Sequence, residues 1–495
     1  MPQAPTESAC APTGIEGLDE ILKGGLTPHR LYLLEGVPGS GKTTMSVQFL
    51  LEGLARGETV LYVTLSETAD ELREAAASHG WSLDGIHIHE LVPVGDQLDP
   101  DAQYTMFHPS EVELAETARR ILVEVERLQP DRVVFDSLAE LRLLSGSALR
   151  FRRQVLALKQ YFAGRGTTVL LIDERHVIEQ GLPVHTIVHG AIELEQLRPE
   201  YGGDRRRLRI TKMRGRAFRS GYHDYAITTG GVKVFPRLVA SHFRRDGENT
   251  PMSSGVQALD ALLGGGLDRG TSTLFVGAAG TGKSSLATHF VMRAAERGET
   301  SAMFLFDESI RAMLTRSTGL GLDVQSRIRD GSIQVQAIDP AELSPGEFIH
   351  GIRTAVEQSG ASVVVIDSLN GYLNSMAEEK FILIQLHELL SYLGQLGVVT
   401  LLINAQIGLI GQMSSTVDIS YLADAVILMR YFETEGEVRQ AISVVKKRTG
   451  PHERTIRELR IDPQGVHISE PLRQYQGVLT GIPQQFQETP QPVRA

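Results

Sequence analysis

Cysteine is nearly absent. The 495-residue chain has one, Cys10. No intramolecular disulfide can form, and a cysteine-ligated zinc site is argued against. Long apolar runs are missing too: none approaches the roughly 18–20 residues of a transmembrane helix. The opening residues, MPQAPTESACAPTG, have neither a basic n-region nor an apolar h-region. No secretory signal is expected there, and a cytoplasmic location is. Positive charge is in deficit, with 49 Lys and Arg against 60 Asp and Glu, a net charge of -11. That balance argues against a chain-wide nucleic-acid coating but leaves room for a local basic groove. What remains is 42% hydrophobic and 22% charged, the profile of a globular chain. Its length predicts two to four domains at roughly 100–200 residues each.

The chain repeats itself. TGIEGLDEILKGGL from Thr13 resembles SGVQALDALLGGGL from Ser254, and GVPGSGKTT from Gly36 resembles GAAGTGKSS from Gly277. Both matches fall at an offset of 241 residues. VVFDSL around Asp136 then pairs with VVIDSL around Asp367, and ITKMRG around Lys212 with VVKKRTG around Lys446. Four ordered matches predict a tandem duplication. The expected division is a disordered start over 1–12, a first domain over 13–244 and a linker over 245–251. A second domain over 252–470 and a tail over 471–495 complete it. The linker carries Gly, Asn and Pro, and the tail is rich in Gln and Pro. LYLLEG, TVLYVTL, RVVFDSL and TVLLID read as buried strands. MSVQFLLEGLAR and SEVELAETARRILVEVERL read as helices between them. TLFVG, SAMFLFD, SVVVIDS and VVTLLIN repeat the strands in the second copy. The expected fold class is α/β, a parallel-stranded central sheet flanked by helices on both faces.

Two glycine-rich loops fit G-x-x-x-x-G-K-[ST], each after a predicted strand and before a predicted helix. The first has Gly36, Gly39, Ser40, Gly41, Lys42, Thr43 and Thr44. The second has Gly277, Gly280, Thr281, Gly282, Lys283, Ser284 and Ser285. Glycines let successive backbone N–H groups face phosphate oxygens. The lysine reaches the β- and γ-phosphates, the Thr or Ser hydroxyl ligates Mg²⁺, and the helix dipole adds attraction. Asp136 and Asp367 each end an apolar strand, where a carboxylate holds the Mg²⁺ shell or caps the next helix. After the second strand of each copy come Ser66-Glu67 and Asp307-Glu308. A carboxylate there accepts a proton from water or a hydroxyl, or simply favours a helix N-terminus. Lys212-Met213-Arg214 and Lys446-Lys447-Arg448 follow a late strand. They are either cations for a neighbour's γ-phosphate or solvated basic turns.

Together these residues resemble the KaiC family of circadian clock proteins, within the RecA-like P-loop ATPases. The resemblance covers both copies. SYLADAVILMRYFETEGEVRQAISVVKKRTGPHERTIREL is its most specific stretch. It implies two RecA-like domains per subunit and a homohexameric double ring with ATP between neighbours. Lys212, Arg214, Lys446 and Arg448 would then act in trans. It also implies hydrolysis of ATP by the N-terminal ring and Ser/Thr autophosphorylation by the C-terminal ring. Two neighbouring carboxylates serve each ring in the family. Here the leading one is replaced by Ser66 in the first copy, leaving Glu67, and by the one-methylene-shorter Asp307 in the second, which keeps two carboxylates, Asp307 and Glu308. The family's phosphoacceptor Ser-Thr pair aligns with Ser420-Tyr421, so Ser420 is the candidate, with Ser414, Ser415 and Thr416 nearby. The tail after QYQGVLTGIP is short, which argues against control by the family's activator KaiA.

The expectation is therefore an ATPase and serine autokinase that uses ATP and Mg²⁺ and signals beside histidine kinases or response regulators. Neither a membrane nor a nucleic-acid partner is expected. One competing reading is a nucleic-acid motor or recombinase using Arg152-Arg153 and Arg205-Arg206-Arg207. The other is a nucleotide-gated scaffold with little turnover, suggested by Ser66.

Overall fold

The computed structural model describes residues 10–91, 109–174, 184–242, 250–375, 381–406, 408, 419–480 and 484–485. They divide into two units, Met1–Arg237 and Leu238–Ala495.

In the first unit the short α1 (Leu18–Ile21) precedes β1 (Leu31–Gly36), α2 (Lys42–Ala55) and β2 (Val60–Thr64). Then come α3 (Ala69–Ser78), β3 (His87–Glu90), α4 (Pro109–Leu128) and β4 (Arg132–Asp136). α5 (Leu138–Ser145), α6 (Ala148–Ala163), β5 (Thr168–Glu174) and β6 (Gly190–Leu197) follow. The unit closes with β7 (Arg205–Met213), β8 (His223–Thr228) and β9 (Gly231–Phe235). The nine strands form one sheet in the order β3-β2-β4-β5-β1-β6-β7-β8-β9. The six strands from β3 to β6 run parallel. The last three are added antiparallel.

The parallel strands read as continuous apolar runs because both faces are covered. Side chains alternate between the faces. Leu31, Leu33, Val133, Phe135, Val169 and Leu171 pack with residues of α4, α5 and α6. Tyr32, Leu34, Tyr62, Val134, Leu170 and Ile172 pack with residues of α1, α2 and α3. The largest fully buried side chain is Arg132. Its guanidinium pairs with Glu58 and donates to the carbonyls of Pro12 and Phe49, so the entering chain is tied to α2.

The second unit repeats the plan. α7 (Gln257–Leu262), β10 (Ser272–Gly277), α8 (Lys283–Glu296), β11 (Thr300–Leu305) and α9 (Ile310–Gly319) open it. α10 (Val324–Arg329), β12 (Ile333–Ala337), α11 (Pro345–Glu357), β13 (Ala361–Asp367) and α12 (Leu369–Ser375) continue it. α13 (Ile382–Gln395), β14 (Val399–Ala405), β15 (Ala425–Thr434), β16 (Glu437–Lys447), β17 (Arg457–Asp462) and β18 (Gly465–Pro471) end its sheet. The order, β12-β11-β13-β14-β10-β15-β16-β17-β18, is that of the first sheet. In the tail, β19 (Tyr475–Gln476) pairs with β20 (Gln484–Gln485), and Tyr475 packs beside Phe432 and Leu472.

The strands named from sequence are all present, and the fold is a tandem pair of RecA-like α/β domains. The antiparallel extension of each sheet is additional to the expected parallel core. No helix among the described residues is long and apolar enough to cross a membrane.

Candidate functional site

In each unit the central strand ends in the glycine-rich loop. β1 lies between β5 and β6, and β10 between β14 and β15. Strand order reverses there, opening a crevice at the carboxyl ends of the parallel strands. Gly36 and Gly277 leave no room for a side chain. A Cβ on Gly277 would lie 2.0 Å from the Met429 carbonyl oxygen. Gly41 and Gly282 cap α2 and α8 in the left-handed conformation, at φ 88° and 93°, where glycine is favoured. Ile227 sits over the first of these glycines and Ile461 over the second.

The loops close on themselves alike. Ser40 donates to the Val37 carbonyl at 2.7 Å, and Thr281 to the Ala278 carbonyl at 2.9 Å. Lys42 donates to Gly36 and Val37, and Lys283 to Gly277 and Ala278. Each ammonium is therefore held at the loop's rim. Thr44 and Ser285 are the third residues of α2 and α8. Burial lowers both lysine pKa values. Lys283 falls to about 8 with Asp367 opposing. Lys42 is opposed by Glu174, Asp136 and Asp173.

The helix hydroxyls meet the strand-end carboxylates. Thr43 donates to Asp136 at 3.3 Å, and Ser284 donates to Asp367. Both aspartates are buried, which pushes their carboxyls above the ordinary range against those hydrogen bonds. Tyr62 adds a second bond to Asp136 at 2.5 Å. Met303 holds the matching place on β11 and has no hydroxyl to offer Asp367. Both Asp-Ser peptide bonds, 136–137 and 367–368, are cis.

The acid positions diverge. Glu67 lies just before Thr68, the N-cap of α3, and Thr68 forms a capping box with Glu71. The helix-start role therefore belongs to Asp70 and Glu71, leaving Glu67 outside the first turn. Burial raises the Glu67 carboxyl, and the charges of Asp136 and Glu71 raise it further. Asp307 accepts the Ser368 hydroxyl at the start of α12. Glu308 is held by Arg316, which pairs with both its oxygens, at 2.9 and 3.3 Å.

Lys212 and Lys446 lie within β7 and β16 rather than after them. An irregularity in pairing precedes each, between Ala191 and Ile192 and between Val426 and Ile427. Such a bulge re-aims the side chains beyond it. It leaves no composition signal in the sequence. Lys212 donates to the His185 carbonyl and Arg214 to that of Thr186. Lys446 donates to the carbonyls of Ser420 and Ala423, each at 2.7 Å, and Arg448 to that of Tyr421 at 2.7 Å. The basic segment and the Ser420 segment are thus one unit of structure. Tyr421 is 55% exposed. Ser414, Ser415 and Thr416 lie outside the described residues.

Three of the five candidate nucleic-acid arginines have partners within the chain. Arg206 pairs with Asp204 and Arg207 with Glu195. Arg152 donates to the Thr186 hydroxyl.

Comparison with known proteins agrees with this geometry. The family described as "ATPase: KaiC" matches the chain twice, over residues 11–239 and 252–473. The circadian clock oscillator protein KaiC of Thermostichus vulcanus is 30% identical, covering 97% of this chain and 94% of its own length. That of Parasynechococcus marenigrum is 28% identical, covering 95% of this chain and 92% of its own. That of Rippkaea orientalis is 30% identical, covering 95% and 91%. A duplicated RecA-like fold, two phosphate loops and this full-length likeness have one reading: the chain belongs to the KaiC family of ATPases.

Proposed function

We propose that each unit binds one ATP with Mg²⁺, that subunits assemble as a homohexamer, and that the second unit phosphorylates Ser420. The observation that carries the reading is the repeated convergence at the carboxyl ends of the strands. A phosphate loop, a helix hydroxyl, a buried carboxylate and a further acid meet there in both units.

The donor set fits Mg²⁺. One hydroxyl and one carboxylate are hard oxygen ligands, and Mg²⁺ completes its shell with phosphates and water. Thr43 and Asp136 would hold it in the first unit, and Ser284 and Asp367 in the second. Bound there, it neutralises charge on the phosphates. Lys42 and Lys283 supply charge-assisted donors to the phosphate oxygens. Glu67 takes the proton of the attacking water in the first unit. Glu308 takes the proton of water or of an incoming hydroxyl in the second. Lys212, Arg214, Lys446 and Arg448 offset charge on the transferring group of a neighbouring subunit. The bonds from Lys446 and Arg448 to the Ser420–Ala423 segment support Ser420 and these cations reaching one neighbour's site together. A phosphate there adds about −1.5 to −2 charge. Its readout partners are signalling proteins such as histidine kinases or response regulators, met in the cytoplasm.

The ion pairs of Arg206 and Arg207 favour this reading over a nucleic-acid motor. Glu67 favours turnover over a passive scaffold.

The experiment is incubation with radiolabelled ATP and Mg²⁺, with light scattering on the same samples. Hexamers are expected, with label in the wild type and in Tyr421→Phe but not in Ser420→Ala. Equal label in all three moves the acceptor elsewhere. Monomers at saturating ATP remove the trans-acting cations from the account.

A further inference from the structure

Arg316 has no part in the proposed chemistry, yet its guanidinium donates to two parts of the second site, Glu308 and Ser285. It lies on α9, the seventh residue after the N-cap Ser309. Side chains on a helix tilt toward its N-terminus, so a long residue two turns in reaches back to Glu308. The guanidinium meets both Glu308 oxygens, Nη2 at 2.9 Å and Nε at 3.3 Å. Its Nη1 donates to the Ser285 hydroxyl at 3.4 Å, on the first turn of α8. Its charge also favours the ionised form of Asp367. Neither partner is a freely solvated surface group, at 24% and 27% side-chain exposure. The first copy has no counterpart. Seven residues after its N-cap Thr68 stands Ala75, and no ion pair to Glu67 is present among the described residues.

We infer that Arg316 is a positioning residue that fixes the Glu308 carboxylate against the phosphate loop, a control built into the second site alone. A forked guanidinium sets the plane of a carboxylate as well as its place, which a lysine's point charge cannot do. One link, to Ser285, ties that carboxylate to the helix that carries Lys283 and Ser284. The geometry of the base and that of the loop are then set by one side chain. Asp307 is engaged by Ser368, so Glu308 is the acid whose orientation Arg316 governs.

The inference rests on the proposed role of Glu308, and the test separates the two. Steady-state ATP hydrolysis is measured in full-length chain carrying Lys42→Ala, which leaves turnover to the second site. Glu308→Gln, Arg316→Ala and Arg316→Lys are compared there. Arg316→Ala is expected to lower kcat about tenfold or more, since misplacement of a reacting group is costly. The KM for ATP is expected to stay within about twofold, as for an interaction absent from ground-state binding. Arg316→Lys is expected to recover part of kcat, because charge returns without the fork. An unchanged kcat in Arg316→Ala, with Glu308→Gln inactive, overturns the role of Arg316 alone. Full activity in Glu308→Gln overturns the assignment of the base. If Arg316→Ala and Arg316→Lys raise KM and lower kcat together and equally, Arg316 is structural and the inference fails.

Discussion

The two copies share a sheet order, a loop geometry and a hydroxyl–carboxylate pair, and they differ in how their acids are held. Glu67 has no ion pair among the described residues, and its carboxyl is raised by burial and by the negative charge of Asp136 and Glu71. Glu308 is clasped by Arg316, and its neighbour Asp307 by Ser368. The lysines differ in the opposite sense. Three carboxylates, Glu174, Asp136 and Asp173, counter burial at Lys42, whereas Asp367 alone counters it at Lys283. Duplication preserved the phosphate-binding frame, which backbone geometry dictates. It left the acids proposed to handle protons free to diverge, because side chains on loops and helix starts bear no load in the sheet.

The largest effect that sharpens this comparison is expected at Glu67. In a Lys283→Ala background, Glu67→Gln should lower phosphate release about a hundredfold or more, since an amide cannot take the proton. Unchanged release would remove Glu67 as the base and with it the contrast between the copies. A smaller effect separates the two glycines that open the loops. A Cβ at position 277 meets the Met429 carbonyl oxygen at 2.0 Å, whereas at position 36 the nearest backbone atom, the Leu194 carbonyl oxygen, lies 2.9 Å away, with the Ser40 hydroxyl at 2.6 Å. Gly277→Ala should therefore destabilise the chain by about 1–3 kcal/mol in denaturant unfolding, and Gly36→Ala by less. The reverse order would mean that the Met429 carbonyl gives way more readily than the contacts around Gly36.

The smallest effect concerns pH. As the proposed base Glu67 would work only when ionised, and its carboxyl is raised above the ordinary 4.5. First-copy turnover is thus present above the raised value and lost as pH falls through it. The acid limb of kcat/KM in Lys283→Ala protein should lie above that of an ordinary glutamate. A limb at or below it would place Glu67 in a more polar setting than its burial implies.

Much of this was legible in the sequence. Strands such as RVVFDSL and VVTLLIN are apolar without alternation because helices cover both faces, so the parallel core could be read directly. The loops follow from glycine spacing, since only glycine tolerates the φ at 41 and 282 and the close approach at 277. Three things were not legible. The antiparallel edge strands, such as REL at Arg457, mix charge with apolar residues and give a weak pattern. The bulges before Lys212 and Lys446 depend on pairing partners far along the chain. Arg316 lies outside every motif, and its reach to Glu308 appears only once α9 is folded and packed beside α8.

The central claim is that each copy is a nucleotide site in its own right. Counting bound nucleotide by native mass spectrometry, at ATP just above half-saturation and with Mg²⁺, tests it most directly. The loss of one charge-assisted phosphate contact costs about 1.5–3 kcal/mol, enough to empty one site under those conditions. The account predicts up to two ATP per wild-type chain and at most one in either Lys42→Ala or Lys283→Ala. A wild type that never exceeds one, or single variants that still reach two, would contradict it.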